Sequence, residues 1–153
     1  MTATNGRRMT FSIEVQAPPE RVFALVSDIE RHVDWSPHPF QAVRLDEGPI
    51  GPGSHYRTAG QRGVRKGAMR TTDVVVTEFE PPSRFGFAAT EPAGTYHTTF
   101  DITPLGSGSR VERIIDPPTT GLVPFIRHRV LAPMVKNYVG NNMSAVKARL
   151  DEI

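Results

Sequence analysis

The segment 133-PMVKNYVGNNMSAVKARLDEI-153 decides how the rest of the chain is read. Apolar residues fall at Val135, Val139, Met143, Val146 and Leu150, a spacing of four, four, three and four that puts them on one helical face. Lys136, Lys147, Arg149 and Asp151 fall mostly on the other. Pro133 suits a first-turn position, where its missing N–H has no helical partner to lose. At 1.5 Å per residue the helix would run about 30 Å. Almost everything upstream, apart from one short helical region, reads as strand and turn. A long helix with one apolar face must lie on something, and the only candidate is a sheet. The expected fold class is α+β: a curved antiparallel sheet of about seven strands wrapped around a long C-terminal helix, with two short helices after the first strand. A pocket is expected between helix and sheet.

Upstream, Met9, Phe11, Ile13 and Val15 alternate with polar residues, which predicts a half-buried strand. Ala17-Pro18-Pro19-Glu20 stops it and starts a helix, with Val22, Phe23, Val26 and Ile29 on the apolar face. A second short helix, Ile29–Asp34, leads to Trp35-Ser36-Pro37. Strands follow at Phe40–Asp46, Ser54–Gly60, Ala68–Glu80, Arg84–Thr90, Thr95–Leu105 and Ser109–Asp116, separated by Gly- and Pro-containing turns. Short connections between most successive strands predict antiparallel pairing. On the long strand, one face carries Met69, Thr71, Asp73, Val75, Thr77 and Phe79 and is read as the inner one. Leu122–Leu131 reads as a separate short helix before Pro133.

At 153 residues the chain is long enough for a buried core, and is expected to form one domain over 9–153 after a loose tail, 1–8. The formal net charge is only +2, which is weak ground for a nucleic-acid partner, and none is expected. There is no cysteine, so disulfides, thiolate metal sites and a cysteine nucleophile are excluded. The N-terminus lacks the apolar core of a signal peptide, and no run approaches a membrane span. The expectation is a cytoplasmic protein, monomer or homodimer, with no stable membrane insertion.

Several stretches together resemble one family. They are Ala17-Pro18-Pro19-Glu20-Arg21-Val22-Phe23, Asp28, Trp35-Ser36-Pro37 and Gly51-Pro52-Gly53-Ser54. The turn Val76-Thr77-Glu78-Phe79-Glu80-Pro81-Pro82-Ser83-Arg84, the run Gly108-Ser109-Arg110-Val111 and the ending Met143 to Glu152 belong with them. With the element order, they resemble the helix-grip fold of the START/Bet v 1-like (SRPBCC) superfamily, in its bacterial polyketide cyclase/dehydrase and lipid-transport branch. The resemblance implies a deep, mostly apolar cavity between the sheet and the C-terminal helix. It implies ligands such as lipids, sterols, polyketides or hormone-like aromatics, and in some members cyclisation or dehydration. Aromatase/cyclase members carry a Trp-x-Ser-x-Arg-like run on the long strand, and Ala68–Glu80 has no such run.

Within that frame, Asp73 is the candidate base, because burial would raise a carboxylate's pKa. Arg113, inward on the last strand, is its candidate partner or the holder of a ligand carboxylate, and Tyr96 a candidate oxyanion partner. A one-residue slip or a bulge would instead put Asp73 or Arg113 in water. The expected ligand-binding wall is Trp35, Thr77, Phe85, Phe87, Tyr96, Thr98, Phe100, Val139, Asn142 and Met143. Core packing is the competing role for Trp35, strand propensity for Thr and Tyr, and a solvated position for Asn142. The five histidines, at 32, 38, 55, 97 and 128, show no metal-ligand spacing, and neither metal nor cofactor is expected. Arg62, Arg65, Lys66 and Arg70 form a basic hairpin that reads first as a solvated tip. The leading expectation is a binder of a hydrophobic small molecule. A polyketide cyclase/dehydratase-like enzyme and a protein-interaction module of the same fold are the alternatives.

Overall fold

In the computed structural model, which describes residues 8–36, 40–61, 69–91, 94–116 and 122–152, the alternating runs pair into one sheet. The strands are β1 (Met9–Val15), β2 (Phe40–Arg44), β3 (His55–Gln61), β4 (Met69–Glu80), β5 (Arg84–Glu91), β6 (Gly94–Leu105) and β7 (Gly108–Asp116). Their order is β1-β7-β6-β5-β4-β3-β2, and each neighbouring pair is antiparallel. From β2 to β7 every strand lies beside its successor, as short connections favour. Helix α1 (Pro19–Ser27) and a 3-10 segment, Ile29–Asp34, fill the crossing from β1 to β2. The chain closes with helix α2 (Leu122–Asp151). The basic hairpin residues Arg62, Arg65 and Lys66 lie outside the described residues, as does the expected tail up to residue 7. Arg8, expected in that tail, pairs with Asp116 at 2.7 Å.

Two expectations are corrected by the backbone. The break between a helix at Leu122–Leu131 and one starting at Pro133 does not occur. Helix α2 continues through Pro124 and Pro133 for 30 residues. Pro124 sits in the first turn, where no bond is lost; Pro133 removes one interior bond without ending the helix. The second correction is the parity of β4. Thr72, Val74 and Val76 are buried, whereas Thr71, Asp73, Val75 and Thr77 are exposed. A bulge between Val76 and Glu78 shifts the register against β5, so Phe79 returns to the inner face. Gly86 sits opposite the bulge, where a Cβ would crowd Glu78 Oε2 at 3.1 Å and Thr77 Oγ1 at 3.2 Å.

The inner face and α2 share one core. Val139, Met143, Val146 and Leu150 are buried against it, at roughly 1.5–3 kcal/mol for each large apolar side chain. The helix end is pinned to β1. The backbone N–H of Gln16 donates to Asp151 Oδ1 at 2.8 Å. Lys147 Nζ donates to Asp151 Oδ2 and to the Glu14 carbonyl, both at 2.7 Å. The Lys147 hydrogen bond, helped by that of Gln16, holds the Asp151 carboxyl below the usual carboxylate range. Below α1, the rings of Phe23, Phe79 and Phe85 meet edge to face at centroid distances of 5.1 to 6.3 Å and fill one end of the core.

Candidate functional site

The other end of the core is not filled. A pocket of about 60 Å³ lies between the inner face of β3 to β7, the 3-10 segment and α2. The 3-10 segment and the residues just after it supply Ile29, His32, Trp35 and Ser36. At three residues per turn, positions 29, 32 and 35 fall on one face, which is why all three reach the same space. The sheet supplies Thr58, Thr72 and Val74 from β3 and β4, Phe87 and Ala89 from β5, Phe100 from β6 and Arg113 from β7. Helix α2 supplies Asn142, one position beside its buried stripe.

Polar groups gather in this otherwise apolar wall. The guanidinium carbon of Arg113 lies 5.1 Å from the Phe100 ring centroid, a cation–π contact between cross-strand partners. His32 is buried, with its ring 4.8 Å from that of Trp35. Its Nε2 donates to the Val26 carbonyl at 2.8 Å, so in the neutral ring Nδ1 carries the lone pair. Burial, with a smaller push from the Arg113 charge, takes the His32 pKa down to about 4. The imidazole is therefore neutral at pH 7. The Trp35 indole N–H is buried and has no hydrogen-bond partner among the described residues. The Thr58 hydroxyl donates to the Thr72 carbonyl at 3.4 Å.

Of the residues singled out in the sequence, Trp35, Phe87, Phe100, Arg113 and Asn142 are brought together around the pocket. The others are not. Asp73 lies on the outer face, half exposed, 3.2 Å from Arg57 Nε and 3.9 Å from His55 Nε2. Thr77 is exposed in the bulge. Both fall outside because the strand changes parity between them and Phe79. Phe85 is fully buried in the phenylalanine cluster rather than in the pocket wall. Thr98 is buried beside its cross-strand partners Phe87 and Ile115, and Tyr96 is half-buried nearer the β5–β6 turn. Val139 and Met143 belong to the buried stripe of α2. His32, Thr58 and Thr72 are pocket residues outside the expected wall; the three-residue spacing of Ile29, His32 and Trp35 is the sequence signal for His32, and Thr58 and Thr72 have none. Among the described residues no group of His, Cys, Asp or Glu could hold a metal. No helix there is long and apolar enough to cross a membrane.

A family model described as polyketide cyclase / dehydrase and lipid transport matches residues 7–151. The chain belongs to that family. No curated protein matches the sequence. Solved structures share the family's fold at low identity. Protein CV1439 from Chromobacterium violaceum is 18% identical, with a TM-score of 0.73, over 95% of this chain and 99% of that one. The Zhui aromatase/cyclase from a Streptomyces species is 16% identical, with a TM-score of 0.72, over 94% and 93%. Ara h 8.0201 is 14% identical, with a TM-score of 0.67, over 94% and 96%. Together they place the family member described here in the START/Bet v 1-like superfamily, with the helix-grip fold.

Proposed function

We propose that this protein binds a hydrophobic small molecule, a lipid, polyketide or aromatic compound, in the pocket between the sheet and α2. The reading takes residues 9–153 as one ligand-binding domain, soluble in the cytoplasm. The observation that carries it is the pocket wall. Trp35, Phe87 and Phe100 give flat apolar surface, and a few polar groups converge among them. That mixture suits orientation of a ligand better than core packing, because a buried N–H without a partner is costly in a finished core. The pocket of about 60 Å³ is small for a ligand site. A ligand filling the usual range of about 300–1,000 Å³ therefore requires its walls to move apart.

An acid–base enzyme is the less supported alternative. Its expected base, Asp73, is on the opposite face of the sheet. His32 is inside, but with a pKa of about 4 it is a weak base at neutral pH, better suited to hydrogen bonding than to removing a proton. Native mass spectrometry of the purified protein, followed by extraction, tests the proposal. A bound apolar molecule, or a one-to-one adduct with added fatty acids, sterols or polyaromatics, is the expected result. A protein that stays at its unliganded mass with all of them overturns it.

A further inference from the structure

We infer that the ligand is an organic anion, an aryl or acyl carboxylate whose oxygens sit at the Arg113 and Trp35 end of the pocket. This rests on the pocket reading above and narrows its ligand class. Three observations carry it.

The first is the set of groups in the wall. Arg113 is a permanent cation that faces the pocket and lies over the Phe100 ring. Trp35 adds an indole N–H that is at least nine-tenths buried and has no partner among the described residues. A guanidinium and an indole N–H only donate, so the complementary ligand group is an acceptor. Ser36, Thr58, Thr72 and Asn142 can adapt to either role.

The second is the absence of negative charge. No Asp or Glu lines the pocket. The residues outside the described ranges contain none either. Helix α2, which contributes Asn142, carries no acid before Asp151.

The third is the neutral imidazole. His32 gives the pocket no second cation at pH 7, so Arg113 is the cation that lines it there. The volume of about 60 Å³ is far below that of usual ligand pockets, about 300–1,000 Å³, so the body of such an acid occupies space gained when the walls part.

The test compares matched acids and amides. Trp35 is the only tryptophan in the chain, so its fluorescence reports on the pocket directly. Benzoate against benzamide and 1-naphthoate against 1-naphthamide would be titrated at low salt, with calorimetry in parallel. Nile red serves as a neutral apolar probe and inorganic phosphate as an anion without a body. The expected result is that each carboxylate binds at least tenfold tighter than its amide. Arg113→Gln should shrink that gap to less than twofold, whereas Arg113→Lys keeps most of it. The acid–amide comparison needs only the natural protein, so it decides even if a variant fails to fold. Amides or Nile red binding as well as the carboxylates overturn the anion inference and leave the hydrophobic-pocket reading standing. Phosphate competing as strongly as naphthoate also overturns it, because the apolar body would then contribute nothing. Failure of every probe, neutral ones included, overturns both readings. A gap unchanged in a folded Arg113→Gln protein removes Arg113 as the anchor and overturns the inference.

Discussion

His32 Nε2 donates a 2.8 Å hydrogen bond to the carbonyl oxygen of Val26, tying the 3-10 segment back to the last turn of α1. The carbonyl can only accept, so the bond fixes the tautomer. Protonating the ring would bury a cation in the same pocket as Arg113, and the pKa falls from 6.5 to about 4.

That shift makes stability depend on pH. Between about pH 4 and 6.5 the unfolded chain binds the His32 proton and the folded chain does not. Stability is therefore complete above pH 6.5 and falls as pH drops towards 4, where the loss levels off. The contribution is on the order of 3 kcal/mol. Urea unfolding at pH 7.5 and 4.5 should show a larger acid-induced loss in the natural protein than in His32→Gln. Equal losses in the two proteins would mean that the imidazole is not buried neutral.

Asp73→Asn should do very little. The carboxylate is half exposed and makes a surface ion pair with Arg57 at 3.2 Å. Exposed pairs of this kind contribute within about 1 kcal/mol. Thermal unfolding should shift by no more than a degree or two, and affinity for any pocket ligand should stay within twofold. A tenfold change in binding, or loss of a catalysed reaction with binding intact, would return Asp73 to the site.

The sequence held the architecture because each relevant pattern is local. The spacing of Val139, Met143, Val146 and Leu150 declares a helical face, and Tyr96, Thr98, Phe100 and Ile102 declare a strand. Helix continuity through Pro133 was illegible, since a proline reads as a boundary whether or not tertiary contacts carry the helix past it. The parity of β4 was illegible for a different reason. Val74, Val75 and Val76 are consecutive valines, so neither face stands out, and a reading anchored on Phe79 cannot see the bulge at Thr77. That single inserted residue turned Asp73 from an inward candidate into an outward one. Arg113 and Phe100 sit on strands without such a shift, and both face the pocket.

Gly108→Ala should destabilise the protein although the site is a hairpin end. A Cβ there would collide with the carbonyl oxygen of Val15, where β1 runs beside β7. Next to it, the Ser109 hydroxyl donates a buried 2.7 Å bond to the Ala17 carbonyl, so the backbone has little room to retreat. Overpacking of this type costs about 1–3 kcal/mol. Chemical denaturation should show that loss with little change in slope. A variant as stable as the natural protein would show that β1 can move away from β7 at this point.

Phe85 and Phe87 lie two residues apart on one strand and should respond in opposite ways to the same truncation. Phe85 is fully buried against Phe23 and Phe79, and Phe85→Ala leaves a void in the core that no solvent reaches directly. The expected cost is about 3–5 kcal/mol, with no gain in ligand binding. Phe87 is partly exposed and borders the pocket, 5.9 Å from the Phe85 ring. Phe87→Ala should cost less, because part of the ring never left water, and the space it vacates adds to the pocket. Nile red or 1-naphthoate should then bind more tightly to Phe87→Ala than to the natural protein. Unfolding curves and probe titrations on both variants check the pair. If Phe85→Ala gains affinity and Phe87→Ala does not, the ligand space lies at the α1 end of the core and the pocket assignment is wrong.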